Sequence, residues 1–87
     1  MLAERMSVQV LYFAALRDLM GLSEEQLELP PEVRLVRDLL DHLPRVRPAL
    51  AGKLVSVRVA LDESFAADSD ALAGVRVIAL IPPVAGG

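Results

Sequence analysis

Between Val36 and Leu43, four apolar residues (Val36, Leu39, Leu40 and Leu43) fall at i, i+3, i+4 and i+7. That spacing lays one apolar stripe down one side of an α-helix. Arg37, Asp38, Asp41 and His42 take the wet side, and Pro44 is expected to stop the helix. Arg34 and Leu35 are not capping residues, so burial of the stripe must supply most of the helix's stability. A lone amphipathic helix needs an apolar sheet to cover it, and the flanking segments read as one. Ser7–Phe13 is rich in β-branched and aromatic residues; its alternation puts Val8, Val10 and Tyr12 on one face and Gln9, Leu11 and Phe13 on the other. Glu24–Leu29 alternates as a half-exposed strand that Pro30-Pro31 ends. Val55, Val57, Val59 and Leu61 alternate with Ser56, Arg58 and Ala60, which predicts a further strand. Val75–Ile81 is nearly all apolar, as a central strand should be. Ala15–Met20 reads as a short helix closed by Gly21, Asp62-Glu63 as a turn, Phe65 as the start of a short return strand, and Asp68–Asp70 as a polar loop. This order predicts an α+β fold: a mixed four- to five-stranded sheet packed on one main helix, with the first and last strands parallel at its centre.

Eighty-seven residues make one domain able to bury roughly 63% of its unfolded surface, too little for a large walled enzyme cavity. The expected organisation is a single domain over residues 1–81, with 1–6 a loose N-terminal extension (Met6 being an alternative start), and an extended tail over 82–87. Hydrophobic residues make up 54% of the chain, which excludes intrinsic disorder. No apolar run approaches the roughly 18 residues of a membrane span, and the N-terminus lacks a signal peptide's apolar stretch. With no cysteine, disulfides, thiolate metal sites and a cysteine nucleophile are excluded. A soluble cytoplasmic domain is therefore expected. The net charge of −3, with arginines spread among acids and only one Tyr and two Phe, argues against nucleic acid as a partner. Catalytic groups are scarce. His42 is the only histidine and lies on the helix's polar side; Asp68 and Asp70 lack a cation-loop pattern; Glu24-Glu25 and Asp62-Glu63 are sequence neighbours that a strand would point apart. No metal site and no tightly bound cofactor is expected.

The sequence IPPVAGG, ending at Gly87, stands out. Pro82 and Pro83 cannot continue a strand ladder and favour extended geometry. Six residues from Pro82 reach about 20 Å. Gly86 and Gly87 carry no side chain, so the tip can enter a tunnel that excludes a Cβ. A free Gly87 carboxylate is ionised and unreactive at neutral pH, and must be activated, for example as an acyl adenylate, before it can act as an acyl group.

Taken together, VLYFAALRDLMG at 10–21, VRDLLDHL at 36–43, GKL at 52–54, VALDESF at 59–65 and ALIPPVAGG at 79–87 resemble the small, sulfur-carrier (MoaD-type) subunits of molybdopterin synthase. These are ubiquitin-like β-grasp proteins with a flexible C-terminal Gly-Gly tail. The resemblance implies that an adenylating activating enzyme (MoeB-type) uses ATP on Gly87, and that the acyl adenylate becomes a thiocarboxylate. It further implies that the tail (Pro82, Pro83, Val84, Ala85, Gly86, Gly87) enters the large (MoaE-type) synthase subunit and gives sulfur to cyclic pyranopterin monophosphate in molybdenum cofactor biosynthesis. On that pattern the chain is the sulfur-donating, non-catalytic subunit of a heterotetramer. Phe13, Phe65 and Ile81 match an apolar docking patch and Arg17 a polar contact beside it. Lys53, the only lysine, lies in the GKL match and is a further docking candidate. Ala85 stands where the family commonly has Ser or Thr, and the loop at 67–74 departs from its usual Asp-Gly-Asp turn. A sulfur carrier for thiamin or another pathway, and a protein modifier conjugated through Gly87, are the alternatives.

Overall fold

The computed structural model describes residues 5–83. Strand β1 (Met6–Tyr12) leads into helix α1 (Ala14–Met20) and returns as β2 (Glu24–Leu29). The main helix α2 (Val36–Val46) follows, then a one-turn 3-10 helix at Pro48–Leu50, the hairpin strands β3 (Arg58–Leu61) and β4 (Ser64–Ala66), and finally β5 (Val77–Ile81). The five strands form one mixed sheet in the order β2-β1-β5-β3-β4. β1 and β5 pair in parallel at the heart of the sheet and the other pairings are antiparallel. This is the ubiquitin-like β-grasp arrangement.

The alternation in β1 sets the two faces of the sheet. Val8, Val10 and Tyr12 are buried toward the helix together with Leu27, Leu29, Val59, Ile78 and Leu80. Val36, Leu39 and Leu43 of α2 are fully or almost fully buried against them. Removing each of these side chains from water contributes about 1.5–3 kcal/mol, which is how the poorly capped helix is held.

Several boundaries differ from the sequence expectation, each for a physical reason. Met6 is not part of a loose extension: it pairs with Leu29 and packs on the core, so β1 starts there. Met1–Glu4 lie outside the described residues. The strand expected from Val55 begins only at Arg58, and Val55 is 90% exposed. Arg58 pairs with Ile81, so the next antiparallel partner would be Pro82, which has no N–H to give. Pro44 does not stop α2. It withholds one bond, but the Arg47 N–H donates to the Leu43 carbonyl (2.7 Å) and the helix runs to Val46.

The N-terminus of α2 is satisfied from outside. Leu35 has no side-chain acceptor, but the Asp38 carboxylate accepts from the Leu35 N–H (3.0 Å) and the Arg34 N–H (3.1 Å). The N–H groups of Val36 and Arg37 donate to the carbonyls of Asp70 (3.0 Å) and Asp68 (2.9 Å). Thus the loop at 67–74 caps the helix, and Leu72 anchors that loop in the core.

Candidate functional site

Cross-strand register places Leu11, Ala79, Ala60 and Phe65 in one row across β1, β5, β3 and β4 on the outer face. Phe13, Ile81 and Arg58 form the next row, since the Phe13 N–H donates to Leu80 O and Arg58 pairs with Ile81. Three of the sequence-predicted residues, Phe13, Phe65 and Ile81, are therefore brought to one end of one sheet face. Phe13 is 42% exposed and Phe65 58%. The other half of that face is polar: Gln26 donates to Ser7 Oγ (2.7 Å) and Gln9 donates to Glu24. The apolar half thus exposes hydrophobic surface that the β2 half does not.

Pro82 is half-buried and Pro83 exposed directly beyond Ile81, so the tail is rooted at the edge of the apolar half. Val84, Ala85, Gly86 and Gly87 lie outside the described residues. Arg17 is exposed on α1, one residue after buried Leu16, and Lys53 is exposed beyond the 3-10 helix; both sit off the sheet.

Behind Phe13, on the inner face, a polar network fixes the same end of the sheet. The Tyr12 hydroxyl donates to Glu25 Oε2 (2.6 Å). Arg47, just past α2, donates to the same carboxylate through Nη2 (2.6 Å) and Nε (3.0 and 3.1 Å). The Arg47 hydrogen bonds are the main reason the Glu25 carboxyl is held below its ordinary range, against the opposing effect of burial. Burial first, then the bond to Glu25, pushes the Tyr12 phenol far above its ordinary range. β1, β2 and the end of α2 are thereby tied together next to the row of Phe13 and Ile81. No local residue pattern signals this cluster, because its members are 13 and 22 residues apart. Arg58 was equally silent: its guanidinium lies 3.9 Å from the Phe65 ring centroid, a contact only the β3–β4 register reveals.

Among the described residues no three His, Asp or Glu side chains gather as a metal site. A groove of about 490 Å³ lies between Met6, the Pro30-Pro31 turn and Leu72. Met6 is at the opposite end of β1 from Phe13, so this groove is remote from the tail root. No helix among the described residues is long and apolar enough to cross a membrane.

The sheet order, with its parallel central pair and the main helix across one face, defines the ubiquitin-like β-grasp class. Comparison with known proteins narrows this. The ThiS family model matches residues 10–87. The molybdopterin synthase sulfur carrier subunit of Chlamydomonas reinhardtii is 33% identical over 84 residues, covering 94% of this chain and 100% of that protein. SAMP1 of Haloferax volcanii superposes with a TM-score of 0.78 at 28% identity, over 94% of this chain and 100% of the other. The Pyrococcus furiosus protein assigned as molybdopterin converting factor subunit 1 superposes with a TM-score of 0.69 at 27% identity, over 90% and 98%. The chain belongs to the ThiS family and is a homologue of molybdopterin synthase sulfur carrier subunits.

Proposed function

We propose that the protein carries sulfur on Gly87 as the small subunit of a molybdopterin synthase. The observation that carries this reading is the tail root. β5 leaves the centre of the sheet at Ile81 into Pro82-Pro83 beside the exposed Phe13 and Phe65, in a chain related over nearly its whole length to a sulfur carrier subunit. In this reading the Gly87 carboxylate attacks the α-phosphorus of ATP on an adenylating partner, forming the acyl adenylate and releasing pyrophosphate. A sulfide-equivalent donor then displaces AMP, leaving a thiocarboxylate. Inside the large synthase subunit the thiocarboxylate sulfur is passed to the pyranopterin precursor; water supplies the oxygen that restores the carboxylate. The protein's own part is to present a side-chain-free tip and a docking face, with Phe13, Phe65 and Ile81 against the partner and Arg17 and Lys53 flanking it. No side chain of this chain acts as acid or base.

Incubating the protein with ATP and its adenylating partner tests this. The expected result is pyrophosphate release that disappears when Gly86 and Gly87 are deleted. Release that is unaffected by the deletion refutes the assignment of Gly87.

A protein modifier is the second reading, favoured by the superposition on SAMP1, a small archaeal modifier protein. It shares the acyl adenylate but passes the Gly87 acyl group to a lysine amine. Conjugates that lysine-targeting peptidases remove would mark it.

A further inference from the structure

Within the apolar half of the outer face stands one cation. Arg58 is exposed, opposite Ile81 in the ladder and one residue from the tail root. Its neighbours on that face, Ala60, Phe65, Ala79, Ile81 and Phe13, are all uncharged. Among the described residues the Arg58 side chain makes no ion pair and no hydrogen bond; its partner is the Phe65 ring, whose centroid is 3.9 Å from the guanidinium carbon. Stacking on a ring leaves the edge N–H groups of a guanidinium free while restricting its rotamers. An arginine held this way has lost in advance much of the side-chain entropy that a bidentate contact would otherwise cost. A surface that covers Phe13, Phe65 and Ile81 must also desolvate this guanidinium, and an unpaired charge in a closed apolar contact is strongly disfavoured.

Resting on the docking reading above, we propose that the large subunit places an Asp or Glu carboxylate on Arg58, and that this pair, beside the tail root, fixes how the small subunit is oriented when its tail enters. A carboxylate matches the fork geometry and completes the charge that the apolar surroundings leave unmet. Among the described residues no Asp or Glu stands on that half of the face. The acids of the outer face, Glu24 and Glu28, stand on β2 at the far side.

The test is calorimetric binding of the wild type, Arg58→Gln and Arg58→Lys to the purified large subunit, at ionic strengths of about 0.05 M and about 0.5 M. Arg58 is exposed, so thermal midpoints should agree within a few degrees across the three proteins. Arg58→Gln is expected to weaken binding about tenfold to a hundredfold, mainly through faster dissociation, and to flatten the salt dependence. Arg58→Lys keeps the charge but loses the fork and the ring stack, so it should fall between the two. Wild-type and Arg58→Gln affinities within about twofold of each other would overturn the proposal while leaving the docking reading intact. If the wild type itself does not bind the large subunit, the docking reading fails and this inference with it. If the protein instead forms a dimer that Arg58→Gln dissolves, the acid lies on a second copy and the proposal is wrong.

Discussion

Replacing Glu25 with alanine removes the hub of the Tyr12–Glu25–Arg47 network, and its cost can be worked from the contacts. The ion pair with Arg47 is bidentate but partly wet, the side chains being 17% and 34% exposed. Screened pairs of this kind contribute about 0.5–1 kcal/mol. The Tyr12 hydroxyl is worth more. Tyr12 is 2% exposed and Glu25 is its acceptor, so losing the carboxylate leaves a buried donor unsatisfied at about 1–2 kcal/mol. The expected total is about 2 kcal/mol, a drop in Tm of roughly 8–16 °C for a domain of this size. Tyr12→Phe, which deletes the donor as well, should cost only about 1 kcal/mol. The double variant should then recover about 1 kcal/mol relative to the sum of the singles. Thermal unfolding followed by circular dichroism at pH 7 reads all three. A Glu25→Ala shift below about 3 °C, or strict additivity, refutes the reasoning. The pH dependence is an independent check. Because the folded-state pKa of Glu25 is below its unfolded value of 4.5, its contribution is fully present above that pH. It is lost as pH falls through the folded value, so the gap between wild type and Glu25→Ala should narrow below pH 4.5.

Other outcomes follow from the same geometry. Above pH 10 the unfolded chain releases the Tyr12 proton while the fold retains it, so stability should decline with rising pH in the wild type and not in Tyr12→Phe, as alkaline urea titrations would show. Leu39→Ala opens a cavity under α2 and should cost about 2–5 kcal/mol by denaturant unfolding. Gly21 closes α1 at φ +74 with open space where a Cβ would sit, so Gly21→Ala should cost about 1–2 kcal/mol through backbone strain alone. Phe65→Ala removes a side chain 58% exposed: Tm should move by only a few degrees, while affinity for the large subunit should fall at least about tenfold.

What the sequence disclosed and what it withheld divide along physical lines. Period-2 alternation in Val8, Val10 and Tyr12 and the helical stripe ending at Leu43 were legible because local spacing alone determines which side is buried. The same rule misread Val55, because whether an alternating segment becomes a strand depends on a partner. Here the partner strand runs out at Pro82, 27 residues further along the sequence. Pro44 was read as a stop, yet the next turn closes through Leu43. The capping of α2 by the carbonyls of Asp68 and Asp70 could not be read at all, since main-chain acceptors leave no trace in residue type. At the candidate site, Phe13, Phe65 and Ile81 were singled out through family resemblance, and only the register shows that they occupy two adjacent rows at one end of the same sheet face. Arg58 carried no signal of its own, being one of eight arginines until the hairpin places it on Phe65.

Sulfur carriage requires a thiocarboxylate at Gly87. An intact mass of the protein purified from its own cells without a C-terminal tag, with the modified position mapped by fragmentation, addresses it most directly. The expected result is a fraction in which one oxygen at Gly87 is exchanged for sulfur, growing on incubation with ATP, the adenylating partner and a sulfur donor. A mass that stays wholly carboxylate under those conditions contradicts it.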